Sequence, residues 1–251
     1  MARNAGALLA SDVLAALDSV SIVSDAYADL LQSAFAEVEP PYALGWYGER
    51  FRDCATDPNW LASSLLANAQ KEADGSRKLW DFSGRISDPV IAEAVRRHAV
   101  DEARHATYYL SLLRLVFCND MSEADYRQLL TLSPQYRIGD HPPASRRALD
   151  AVVFDELAQM NIGEIRTRLH QKLLRPVLLE WCPTEARDAV EGILSLLMRD
   201  ETRHIAYTAE FLGGAWAADS SRFVRSIYRR RVSDFNEITL QEVGLKDFSG
   251  S

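Results

Sequence analysis

The pentapeptide Asp101-Glu102-Ala103-Arg104-His105 returns ninety-nine positions later as Asp200-Glu201-Thr202-Arg203-His204. Both copies sit where a helix would be expected to bury leucine. Glu and His three residues apart leave a helix from one face, about one turn from each other. In the first copy the same stripe carries Ile91, Val95, His98, Tyr109, Leu112 and Val116; in the second it carries Val190, Leu194, Leu197, Thr208 and Phe211. Apolar residues at steps of three and four mark a buried seam, so each copy aims a carboxylate and an imidazole at a helical core. A carboxylate there must be protonated, paired with a cation or bound to a metal. One Glu-x-x-His is ordinary on a solvated helix, where Glu is common; two copies of the longer pattern favour a metal.

The rest of the chain reads as all-α. Period 3.6 dominates, and alternating β-branched runs closed by Asn-Gly or Asp-Gly turns are nearly absent. Four long helices are expected at about 58–82, 88–117, 145–181 and 184–214, separated by Ser83-Gly84, Ser87-Asp88-Pro89 and Cys182-Pro183-Thr184. Asp57-Pro58 opens the first by the N-cap and N1 preferences. Accessory helices are expected at about 10–38 and 220–236, and a loose tail at about 237–251. The first and third connections are short, whereas Cys118 to Ala144 is long, with Ser122 to Leu132 a short helix and Gly139-Asp140-His141-Pro142-Pro143 a turn. Two hairpins joined by one long crossover make a ferritin-like four-helix bundle with a core of about 58–214. A single domain over 1–251 is expected.

Charge and cysteine usage narrow the function classes. A net charge of −8 offers nothing to a phosphate backbone, and Arg229-Arg230-Arg231 is too short a basic run to change that; no nucleic-acid partner is expected. No apolar run approaches a membrane span, and Ala5 to Ala10 is too short for a signal-peptide core. The three cysteines, Cys54, Cys118 and Cys182, lack metal-ligand spacing and suit a reducing cytoplasm as packing residues.

Each half of a bundle built this way should add one more acid. Glu72 lies a heptad from both Leu65 and Leu79, on the buried seam of the first long helix. The third offers Glu156 and Glu164. Periodicity leans towards Glu156, which has Leu149, Val152, Val153 and Met160 around it. Antiparallel geometry favours Glu164, which with Glu201 lies 18 to 19 residues from a turn at Cys182; Glu156 would sit about 12 Å further along at 1.5 Å per residue. Pro176 weakens the levelling by its capacity to kink the helix. Glu164 is preferred, with Glu156 as the alternative.

With these acids in place the sequence resembles the ferritin-like di-iron carboxylate proteins, in which a Glu and a Glu-x-x-His from each half of a helix bundle hold the metal pair. It is most similar to the branch whose halves read Glu, 28 to 37 residues, then Asp-Glu-x-Arg-His, which includes bacterial di-iron monooxygenases and ribonucleotide reductase small subunits. Here 28 residues separate Glu72 from the first pentapeptide and 35 separate Glu164 from the second; Glu156 would need 43. The likeness covers about residues 58 to 214. It implies metal ligands, and hence catalytic residues, at Glu72, Glu102, His105, Glu164, Glu201 and His204. Four carboxylates and two imidazoles balance two ferrous ions and suit iron, or a manganese–iron pair, over metals that prefer thiolates. Asp101 and Asp200 are expected to hydrogen-bond the far nitrogen of a ligand histidine, with Arg104 and Arg203 paired to those aspartates.

The resemblance implies an oxidoreductase: a cytoplasmic di-iron oxygenase or oxidase that uses O2 on a small organic substrate, by N-oxygenation or hydroxylation in a biosynthetic pathway. A homodimer is expected; since no nucleotide or flavin signature is visible, electrons are expected from a separate reductase, the substrate itself or peroxide. The alternatives are a radical generator like the ribonucleotide reductase small subunit and an iron-handling protein like ferritin or rubrerythrin. His98, one turn before Glu102, is either an extra ligand or a hydrogen-bonded core histidine; di-iron arylamine N-oxygenases carry such a histidine, but in the other half, where this chain has Leu197. Tyr109, four residues after His105, stands where reductase small subunits keep their radical tyrosine, and is otherwise a core aromatic. Phe154, Met160 and Tyr207 are further pocket candidates.

Overall fold

The computed structural model describes residues 4–20, 23–117, 121–137, 139–218 and 222–247. Among them the chain is all-α, without a strand. The helices are α1 (Ala5–Leu17), α2 (Asp25–Glu37), α3 (Gly45–Ala55), α4 (Pro58–Ser83), α5 (Pro89–Phe117), α6 (Glu123–Leu130), α7 (Asp150–Trp181), α8 (Arg187–Ala218) and α9 (Arg222–Asp247). Two compact units divide the chain. The first comprises Met1–Phe51, Asp150–His170 and Glu201–Ser251; the second comprises Arg52–Leu149 and Gln171–Asp200. The division therefore falls inside α3, α7 and α8. No helix among the described residues is long and apolar enough to cross a membrane.

In the second unit, local chemistry sets the helix starts. The Asp57 side chain accepts from the Asn59 amide at 2.9 Å with Pro58 in the first turn, and Asp88 Oδ1 accepts from Val90 at 2.8 Å and Ile91 at 3.1 Å ahead of α5. The short turn between them folds α4 back along α5. Leu61, Leu65, Ala69 and Ala73 of α4 and Val95, Ala99, Ala106 and Leu110 of α5 are buried. Small residues at this seam bring side chains of α4 to the α5 backbone: Ser76 Oγ donates to the Ala99 carbonyl at 2.6 Å. The crossover adds Ser133 Oγ on the Ala103 carbonyl at 2.5 Å, and Tyr136 stacks on Trp80 with ring centres 4.1 Å apart.

The crossover contains α6, capped by Ser122, whose Oγ accepts from the Asp125 amide at 3.1 Å. Its turn contains Gly139 at a φ of 89°, a left-handed conformation that glycine adopts at little cost. The helix expected from 145 begins instead at Asp150. Residues 145–149 stay out of the helix because the Ser145 and Ala148 amides donate to the Gly84 and Arg85 carbonyls, at 3.4 and 2.8 Å. Cys54 and Cys182 are free and half-buried; Cys118 lies outside the described residues.

In the first unit the segment expected to hold one or two accessory helices holds α1 and α2, capped by Asn4 and Ser24. Helix α2 buries Tyr27, Leu30, Leu31, Ala34 and Phe35 and packs on α9. Ion pairs join these elements: Glu37 takes Arg225 and Arg229, while Asp155 on α7 takes Arg230 and Arg231. Two features differ from expectation. Helix α3 forms where the sequence analysis assigns no element, with Tyr47 buried near its start. Helix α9 also runs to Asp247 instead of stopping near 236, with Thr239 fully buried in the stretch read as a tail; residues 248–251 lie outside the described residues.

Asp155 supplies a pH test of this packing. Burial works to raise its carboxyl, but hydrogen bonds and charge from Arg231 and Arg230 outweigh it and hold the pKa below the ordinary 3.8. A depressed carboxyl stabilises the fold above its unfolded pKa, and that contribution is lost as pH falls through the lower folded value. Asp155→Asn should therefore lower stability at pH 7 and make stability fall less between pH 5 and pH 3 than in the parent. Urea unfolding at these pH values measures both; parallel pH profiles for the two proteins would remove Asp155 from the account.

Candidate metal centre

Helices α5 and α8 carry the two copies of the repeated motif, while α4 adds Glu72 and α7 adds Glu164. In the second unit Glu72, Glu102 and His105 each offer one ligand atom, all within 4.8 Å of one another. Glu102 Oε1 lies 3.4 Å from His105 Nδ1 and 3.3 Å from His98 Nε2. Glu102, His105 and His98 are buried, Glu72 half-buried. Two imidazoles thus flank one carboxylate oxygen, as the spacing of positions 98, 102 and 105 on one helical face requires.

The first unit repeats the pattern. His204 Nδ1 lies 3.6 Å from Glu201 Oε2 and 3.7 Å from Glu164 Oε2. Glu201 is fully buried and His204 nearly so. Glu164 is the α7 acid beside the histidine, whereas Glu156 lies in the field of Arg231. Carboxylate oxygens and imidazole nitrogens, converging with no sulfur among them, form a donor set for iron, manganese or zinc.

Within the second unit, Asp200 meets two residues of the first pentapeptide. Asp200, from the second copy, puts Oδ2 3.4 Å from Nε2 of His105, from the first. Arg104 donates to Asp101 at 2.5 Å and to Asp200 at 2.9 Å, tying the aspartates of both copies to one guanidinium. Arg203 is exposed. Asp200 and Glu201 are consecutive on α8, so the residue that meets His105 is the chain neighbour of the residue beside His204.

These contacts set the charge states of the second unit's cluster. Burial disfavours a charged Glu102, but hydrogen bonds with Glu72, His105 and His98 outweigh it and hold the carboxyl well below the usual range. Burial would likewise lower the pKa of His105, yet Asp200 and Glu102 raise it to about 9.

Two further residues were not singled out by spacing. Gln171 is buried on α7, seven positions after Glu164, and its Nε2 donates to Tyr109 Oη at 2.5 Å. Its Oε1 is buried without a hydrogen-bond partner among the described residues. A heptad step from Glu164 was the available signal. Asn161, one turn before Glu164, is fully buried; a carboxamide at seam spacing marks it in the same way. Among the pocket candidates, Tyr207 Oη lies 3.5 Å from Met160 Sδ.

Comparison with protein-family models, curated proteins and solved structures finds no match to this chain. The residues themselves must therefore carry the functional argument.

The Asp200 contact has a measurable consequence for the metal-free protein. A histidine whose pKa is raised in the fold stabilises it below the unfolded value, near 6.5, and that contribution is lost as pH rises through about 9. Asp200→Asn removes the carboxylate from Nε2 and should lower the His105 midpoint. An NMR titration of the His105 ring in metal-free parent and variant measures the shift; equal midpoints would separate Asp200 from the ring.

Proposed function

We propose that this protein is a non-haem di-iron enzyme of ferritin-like architecture that uses O2 to oxidise a small organic substrate, by N-oxygenation or hydroxylation. In this reading Glu72, Glu102 and His105 serve one side of an iron pair, and Glu164, Glu201 and His204 serve the other. The observation that carries it is the repetition: each Asp-Glu-x-Arg-His copy has its Glu and His buried together with one further acid from a neighbouring helix. A single cluster would serve a structural ion or an ion pair equally well, whereas two matching clusters supply the four carboxylates that balance two divalent cations.

When bound, the iron pair supplies the electrons and coordination sites for O2 reduction. The chain supplies the rest. Its carboxylates bind in one- or two-oxygen modes and so accommodate a change of charge. Asp200 orients His105 and selects its tautomer, the usual service of a carboxylate behind a metal-bound imidazole. Leu112, Leu194 and Leu197, at seam positions, keep water out. Tyr109 and Gln171 give the interior a polar contact one turn beyond His105.

Storage of iron would call for large loads of metal per assembly, and the radical-generating alternative would call for a persistent tyrosyl signal from Tyr109. Anaerobic titration with ferrous iron should load about two ions per chain, the stoichiometry of a di-iron carboxylate site. Admitting O2 should then produce a transient visible absorption that Glu102→Ala and His204→Ala both abolish. Hundreds of irons per assembly, or a transient that survives both substitutions, would refute the assignment.

A further inference from the structure

Asn161 precedes Glu164 by one turn of α7, and Thr208 follows His204 by one turn of α8. Because the chain reverses at Cys182–Ala186, both steps lead the same way from the ligand pair. At that level the helices are joined by a polar rung. Asn161 Nδ2 donates to Thr208 Oγ1 at 2.9 Å, and the Thr208 hydroxyl donates to the His204 carbonyl at 2.7 Å. At the other end, Asn161 Oδ1 accepts from two phenols, Tyr27 of α2 at 2.9 Å and Tyr228 of α9 at 2.6 Å.

All four side chains are fully buried. Burial drives the Tyr27 and Tyr228 phenols above their ordinary range, so both remain protonated donors. An apolar residue at 161 would fill this position without any such requirement, while a buried amide costs free energy unless each end is met. A connected buried network selects one arrangement of the helices that bear it. Here those helices are α2, α7, α8 and α9, and the arrangement includes the 3.7 Å approach of Glu164 to His204.

We propose that Asn161, held by Tyr27 and Tyr228 and acting through Thr208, is a positioning residue for the Glu164–His204 ligand pair. The accessory helices α2 and α9 then serve the metal site, by fixing the height and spacing at which α7 and α8 present their ligands. The inference rests on the metal-binding reading above.

Cobalt(II) alone is a suitable probe, since its visible spectrum reports the geometry of the ligand set without turnover. Thr208→Val breaks the rung while keeping the side chain's shape; Thr208→Ser keeps the hydroxyl. Tyr27→Phe/Tyr228→Phe removes both remote donors without touching α7 or α8. Folding of each variant is verified by far-UV circular dichroism. Thr208→Val and the double Phe variant should each displace the cobalt bands and weaken cobalt binding about 10-fold, the lower end of the effect of outer-sphere partners, while Thr208→Ser matches the parent. Parental spectra and affinities in both disrupted variants would overturn the positioning role alone. A parent protein that takes up no cobalt would overturn the metal reading and this inference with it.

Discussion

A charge taken out of water must be met inside the protein, and that requirement governs the placement of nearly every polar residue on the inner faces of α5 and α8. Removing one partner from a buried pair leaves an uncompensated charge, at a cost of about 3 to 5 kcal/mol. Glu102 is met by His98 and His105, His105 in turn by Asp200, and Asp200 by Arg104, whose side chain is 40% exposed and carries the sequence of charges out to solvent. The arrangement is graded from a dry interior to a wet rim. The side chains of this cluster are held in place by one another, and they include groups that could bind a cation.

Much of this was legible from spacing. Helix starts with a side-chain cap and a proline, at Asp57-Pro58 and Asp88-Pro89, are written in local chemistry and appear within a residue or so. The all-α class follows from the period of the apolar residues. What sequence reasoning missed depended on partners distant in the chain. Helix α3 opens at Gly45 and includes Gly48, a composition that reads as loop. Residues 145–149 have no local reason to avoid helix; they do so because their amides reach Gly84 and Arg85. The last turns of α9 pair Glu242 with Arg166, a contact 76 residues away in the chain.

The site divides along the same line. Glu-x-x-His on an apolar stripe fixes which residues face inward, and counting residues back from Cys182 distinguished Glu164 from Glu156. Which aspartate meets which histidine is a tertiary fact: the pentapeptide read alone leaves open that Asp200 serves the histidine of the other copy. Gln171 and Asn161 look like ordinary polar residues on α7 until Tyr109, Tyr27 and Tyr228 are seen to meet them.

One close approach sets a limit on side-chain size. A Cβ added at Gly213 on α8 would stand 3.1 Å from the Cβ of Tyr27 and closer still to Ser24 Oγ, the cap of α2. That oxygen holds the first turn of α2 in place, so α2 has little room to yield by sliding. The hydrogen atom at position 213 is thus the clearance in which α2 seats, and a wedge as small as one methyl group there would press first on the turn that carries Tyr27.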